Sequence, residues 1–183
     1  MKFPTRSAAL LLALALSACD KAPTETKPTL HEVMVGVIDP IADVIWENSS
    51  KAYGDDGTGK PGKLSDADWM KIQQAARKLH AGAMSIADNP DIVATGPGVK
   101  ILDEGKVPEA VTAAQVTAYI ERDRAGLTSH ARELSSLAQR IDSAAGVRDA
   151  ATTVRLSEEL DAVCEACHKR FWYPDQGKPA PAR

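Results

Sequence analysis

Three cysteines carry most of the chemistry this chain can do. Two stand in Cys164-Glu165-Ala166-Cys167-His168, a pair of thiols three residues apart with an imidazole directly behind. That spacing is the attachment motif of c-type haem, where two thiols add to the vinyl groups and the adjacent histidine reaches the iron. Two thioethers fix the porphyrin edge against one helical turn, and the next residue projects under the metal. The expectation is one covalent haem c on Cys164 and Cys167, with His168 on the iron. Two other readings use the same residues. A thiol–disulfide exchanger needs the pair at a helix start in a βαβ setting, whereas here it lies near the chain's end in a helical stretch. A structural zinc site needs four ligands, and His31, His80 and His130 offer no paired spacing to complete one.

The elements that must position this motif read as four helices. Residues 30–49 carry Leu30, Met34, Val37, Ile41 and Val44 at spacings of three and four, with Pro40 expected to bend the helix. A capping box at Ser65-Asp66-Ala67-Asp68 opens a second, with Trp69, Ile72, Ala76, Leu79 and Ala83 on one face, which Asn89-Pro90 stops. Thr112 with Gln115 opens a third, striped by Val116, Ile120, Leu127, Leu134, Leu137 and Ile141, with Gly146 as its C-cap. The fourth places Leu156, Leu160, Val163, Cys167 and Phe171 on one face and ends before Pro174. No stretch alternates like a strand. The predicted fold is all-α, an antiparallel four-helix bundle with the haem near the C-terminal end of the last helix.

A haem motif at the end of a fourth helix resembles the class II cytochromes c, the cytochrome c-prime proteins and their low-spin six-coordinate relatives. The likeness spans residues 30–173, and its specific element is the motif with its position. The long second connection and the Trp172-Tyr173-Pro174 ending depart from the family. In six-coordinate members a methionine of the first helix is the sixth ligand, a position Met34 matches. In gas-binding members an apolar residue packs there instead. The resemblance also implies a homodimer through the first two helices.

If the helices alternate up and down, the start of the first and the end of the fourth share one end of the bundle. His168 lies about four residues from its helix end, roughly 6 Å in, and Met34 lies about as far from its helix start, so the two are level. His31, His80, Met84 and Tyr119 belong to the same end, with His31 the weaker ligand candidate. His130, about 18 residues or roughly 27 Å into a continuous third helix, is expected out of reach of the iron, and Met70 at the wrong end. Lys169 and Arg170 read either as partners for the haem carboxylates or as solvated cations at a helix C-terminus. Trp46, Trp69, Trp172 and Tyr173 are candidates to pack near the cofactor, with core packing the default for each.

The third cysteine speaks of location. Lys2 and Arg6 precede the apolar run from Ala8 to Leu16, which ends in Leu16-Ser17-Ala18-Cys19. This is a secretory leader too short to span as a stable membrane helix, and its end resembles the lipobox of bacterial lipoproteins, with Cys19 as lipid attachment site. The expected organisation is a leader over residues 1–19, a tether over 20–29, a cytochrome domain over 30–175 and a tail over 176–183. Asp20 resembles a signal for retention on the inner membrane, so the expected place is its periplasmic face. The 22 basic residues less Lys2 and Arg6, against 25 acidic ones, leave a mature chain near about −5, and no basic patch suggests nucleic acid. The turn Gly54-Asp55-Asp56-Gly57-Thr58-Gly59-Lys60 mimics a phosphate loop, but Pro61 follows it and its carboxylates would repel phosphate. It also lacks the ligand spacing of a calcium loop. The connection over residues 88–111 is long for a bundle, and reads equally as a cover for a functional edge or as a surface insertion.

These features together predict a membrane-anchored one-electron carrier that meets redox partner proteins. The alternative is a five-coordinate module binding nitric oxide or carbon monoxide. An enzyme is not expected, because no paired acid and base can be placed over the distal side.

Overall fold

The computed structural model describes residues 27–53, 63–102, 104–106 and 111–174. The leader with Cys19, most of the tether, the Gly54 to Lys60 turn and the tail lie outside the described residues. Within them all regular structure is helical.

Helix α1 (Leu30–Val33) starts where Thr29 Oγ1 accepts the Glu32 N–H and the Glu32 carboxylate accepts the Thr29 N–H in return. It runs into a π-helical turn, Met34–Ile38, and then into α2 (Asp39–Ser50). Where a bend is expected at Pro40, the structure gives a widened turn just before it: proline has no N–H and crowds the carbonyl four residues back. The Asp39 N–H accordingly reaches Met34 O, five residues back. Helix α3 (Asp66–Ala87) opens on the expected Ser65–Asp68 capping box, and α4 (Ala113–Arg122) on that of Thr112 and Gln115.

The predicted third helix is two. Asp123, at φ −143° and ψ 57°, ends α4 and caps α5 (Arg124–Gly146) by accepting the Gly126 N–H at 3.1 Å. Asp side chains compete for backbone N–H groups in this way and favour caps over helix interiors. The apolar stripe gave no warning, because Ile120 and Leu127 are seven residues apart, two full turns, with or without the break. Gly146 is not the left-handed cap: it stays in α5, and Arg148 takes the positive φ of 59° before Asp149 caps α6 (Ala150–Phe171).

Cross-helix bonds fix the directions. Arg77 bonds Asp142 and His80 bonds Ser135, so numbers fall along α5 as they rise along α3. Arg140 pairs with Glu159 and Arg170 with Asp123, setting α5 antiparallel to α6. Trp46 Nε1 donates to Ser157 O at 2.8 Å and Ser49 Oγ to Ser157 Oγ at 3.0 Å, tying α2 to α6. Lys51 meets Asp68 near the start of α3, while Gly82 near its end lies against Val37 and Ile38. Ile45, Ile72, Leu79, Leu137, Ile141 and Leu160 are fully buried between these helices.

The connection after α3 lies over the end of the molecule where α1, α4 and α5 begin. Val93 O and Ala94 O accept the Leu30 and His31 N–H groups, both at 2.9 Å, which a helix start otherwise leaves unmatched. The Ala94 N–H donates to Thr117 Oγ1, Arg124 reaches Ile92 O, and Ile92, Ala94 and Ile101 are buried.

Replacing Asp123 by Ala removes the α5 cap and the Arg170 partner. It should cost about 1–2 kcal/mol and lower the melting temperature by about 3–6 °C. An unchanged melting curve would mean that the break does not depend on this cap. Gly82→Leu should cost at least about 2 kcal/mol in urea unfolding, since even a Cβ there would sit 2.8 Å from Val37 Cγ1.

Candidate cofactor site

Ser157 faces α2, and the residues that recur on its stripe at helical spacing are Asp161, Cys164 and His168. All three line a cavity of about 280 Å³ whose other wall is Met34, Asp39, Asp43 and Trp46. Cys167 joins from the core side of α6, and Ile86, Leu127, His130 and Leu134 close the back. The predicted set of Cys164, Cys167, His168 and Met34 therefore meets around one space, with Met34 half-buried in the π turn. That volume is just below the range of about 300–1,000 Å³ usual for ligand clefts, and the site is lined by apolar side chains with a few convergent polar ones.

The thiols are not joined to each other, and both are partly buried. Burial pushes Cys164 up to about 11, helped by Asp161 and Asp39, and pushes Cys167 up to about 12. Both lie near the C-terminal end of α6, where the helix dipole disfavours negative charge. A thiol–disulfide exchanger needs the reverse, a helix N-terminus and a lowered pKa. Asp39, on the rim, is raised by partial burial and pulled back by His168. Tyr173 donates its hydroxyl to Glu165 and meets the His168 ring edge-on at 6.1 Å, and burial with that carboxylate pushes the phenol up to about 12.

Several candidates lie elsewhere. His31, Met84 and Tyr119 are not in the cavity wall, and His80 is held by Ser135 at 2.7 Å. Met70 is 56% exposed at the far end of α3, beside the buried Trp69. Lys169 pairs with Glu165 at 3.1 Å and Arg170 with Asp123, so neither reaches into the cavity.

His130 corrects the sequence reading. It lines the cavity, against the expectation that it stands roughly 27 Å along its helix and out of reach, because the helix that carries it starts at Arg124. Counted from there it lies about 9 Å from the helix start, level with the motif on the antiparallel α6. The Asp123–Gly126 cap was the available signal. The side chain is 20% exposed, and its Nδ1 is shut off from water with no hydrogen bond. Glu133 Oε2 stands 3.7 Å from it, beyond bonding distance, and an unmatched buried group of this kind costs about 1–3 kcal/mol.

Among the described residues no three His, Cys, Asp or Glu side chains converge as a site for a bare metal ion. No protein-family model, no curated protein and no solved structure matches this chain.

In the haem-free chain, alkylation of the two thiols at pH 7.5 should be at least about a hundredfold slower than in the unfolded chain, whose thiols titrate near 8.5. Because burial raises both folded values, this contribution to stability is full below about pH 8.5 and is lost as the pH climbs toward about 11. Equal alkylation rates in urea and in buffer would contradict the buried placement.

Proposed function

We propose that this chain is a c-type cytochrome that carries single electrons. One haem c is held covalently by Cys164 and Cys167, with His168 as the proximal iron ligand and Met34 as the sixth. The observation that carries the reading is the meeting of these four residues around one cavity, contributed by the two ends of the chain's helical sequence. The donor set fits the group: two unjoined thiols three residues apart on one helix face, an imidazole on the same stripe, and a thioether across the space. Trp46, Ile38, Leu127 and Leu134 supply apolar walls. When bound, haem supplies an iron that takes up and releases one electron, and a thioether opposite histidine raises its potential.

The chain's own part is positional. Cys164 and Cys167 fix the macrocycle edge, and the Tyr173 ring against His168 limits the imidazole's rotation. The antiparallel contacts of α2 with α3, α3 with α5, and α6 with both α5 and α2 support reading the fold as a four-helix bundle of the class II cytochrome c kind. The lipobox-like Leu16-Ser17-Ala18-Cys19 supports a lipid anchor on the periplasmic face of the inner membrane, where a protein partner exchanges the electron.

Protein purified from membranes of a host that matures c-type cytochromes should carry haem that survives denaturation. Cys164→Ala with Cys167→Ala should lose that covalent haem entirely. The reduced spectrum should show sharp, separate α and β bands that resist carbon monoxide. Met34→Ala should lower the potential and let the gas bind at once. Immediate binding by the unaltered protein would replace electron transfer with the gas-binding reading, and an unaltered spectrum and potential in Met34→Ala would remove Met34 from the iron.

A further inference from the structure

The connection after α3 is built onto the end of the molecule where the first described residues arrive. Asn89 Nδ2 donates to Pro28 O at 3.4 Å, and Val93 O and Ala94 O hold the Leu30 and His31 N–H groups. The connection is itself pinned. Ile92, Ala94 and Ile101 are buried, Thr95 Oγ1 donates to Val99 O at 2.9 Å, and the Glu104 carboxylate accepts the Ile101 and Ala113 N–H groups. On this fixed backbone two large apolar side chains stand in water, Val99 at 49% and Leu102 at 61% exposure, on either side of the buried Ile101. Charge gives this end no sign of its own, because among the described residues Lys27, Lys100 and Lys106 are offset in number by Asp88, Asp91 and Glu104.

If Cys19 carries a lipid, residues 20–27 are all that separates the bilayer from the pinned Pro28, and a stretch of that length spans at most about 29 Å. Helix α3 alone is about 32 Å long. The end bearing Val99 and Leu102 therefore meets the bilayer without stretching the tether, whereas Met70 and Val147 at the opposite end would face it only with the tether at its limit. We propose that the connection after α3 rests on the bilayer that holds the Cys19 lipid, with the side chains of Val99 and Leu102 in its interfacial layer. This rests on the lipid-anchor reading and not on the haem. Two side chains bury too little surface to bind a membrane alone, but so short a tether makes the contact intramolecular, at a roughly millimolar effective concentration. Met34 lies about 6 Å along its helix from Leu30, so the α2–α6 cavity then stands near the headgroups.

The test is carbene labelling of the mature full chain, purified from host membranes and floated with vesicles of phosphatidylethanolamine and phosphatidylglycerol. The vesicles contain a phospholipid with a photoactivated diazirine high in its acyl chain. Mass spectrometry should find the label on Val99 and Leu102 and not on Met70 or Val147. Val99→Ser with Leu102→Ser should still float and should lose the label from the connection. Both side chains are exposed, and wild-type labelling decides by itself if that variant does not fold. A chain that floats with the connection unlabelled, whether bare to water or covered by a second copy, overturns the contact and leaves the anchor standing. Equal label at both ends of the molecule overturns it too, since the domain then has no fixed face on the bilayer. A chain that does not float overturns the lipid anchor together with this proposal.

Discussion

The indole of Trp46 and the hydroxyl of Ser49 both end on Ser157, and that buried polar junction sets how high α6 stands against α2. From Ser157 the chain climbs eleven residues to His168, about 16 Å; from Trp46 it descends twelve to Met34, about 18 Å at most. The two residues arrive nearly level because the helices are antiparallel and registered at this point. Apolar packing alone would tolerate a slide of one turn at modest cost, since Leu and Ile stripes repeat. The indole N–H does not, because displaced by one turn it would lose Ser157 O, whereas the two hydroxyls would lose each other and keep carbonyl partners in their own helices.

A second layer of constraint is electrostatic. Asp39, Asp43 and Asp161 stand solvent-exposed at the cavity rim, Glu165 is taken up by Lys169 and Tyr173, and Arg170 is drawn away to Asp123. The exposed rim carboxylates therefore lend the cavity mouth a salt-screened negative field, which would favour the more positive state of a group bound there. A methionine at the sixth position would act in the opposite sense. The balance between rim and ligand, more than either alone, would set the affinity of the site for an electron.

Much of this was legible in the sequence because it is local. The capping boxes at Ser65 and Thr112 depend on residues three apart, and each helix start stands where those residues put it. The meeting of these residues around one cavity was legible for a related reason: Cys164, Cys167 and His168 share one stretch of α6, and bringing Met34 to the same cavity needed only the antiparallel order of the helices. What escaped was decided by competition between local choices. Asp123 could have been an exposed helical residue or a cap, and the seven-residue gap from Ile120 to Leu127 fits both, so His130 was placed by the wrong helix start. Likewise Gly146 carried the usual sign of a left-handed cap, yet the turn into α6 puts that conformation on Arg148.

The π turn at Met34–Ile38 is, in chain terms, an α-helix with one residue inserted. Deleting the exposed Val35 or Gly36 would return the turn to α-helical register with the same caps and almost the same core. It would also rotate α1 by about 100° relative to α2 and carry Met34 off the cavity wall. The reach of the first helix toward the motif on the last is thus written in a residue count. A single in-frame loss of three nucleotides at Val35 or Gly36 would move Met34 off the cavity wall while every residue that lines the cavity stays in the chain.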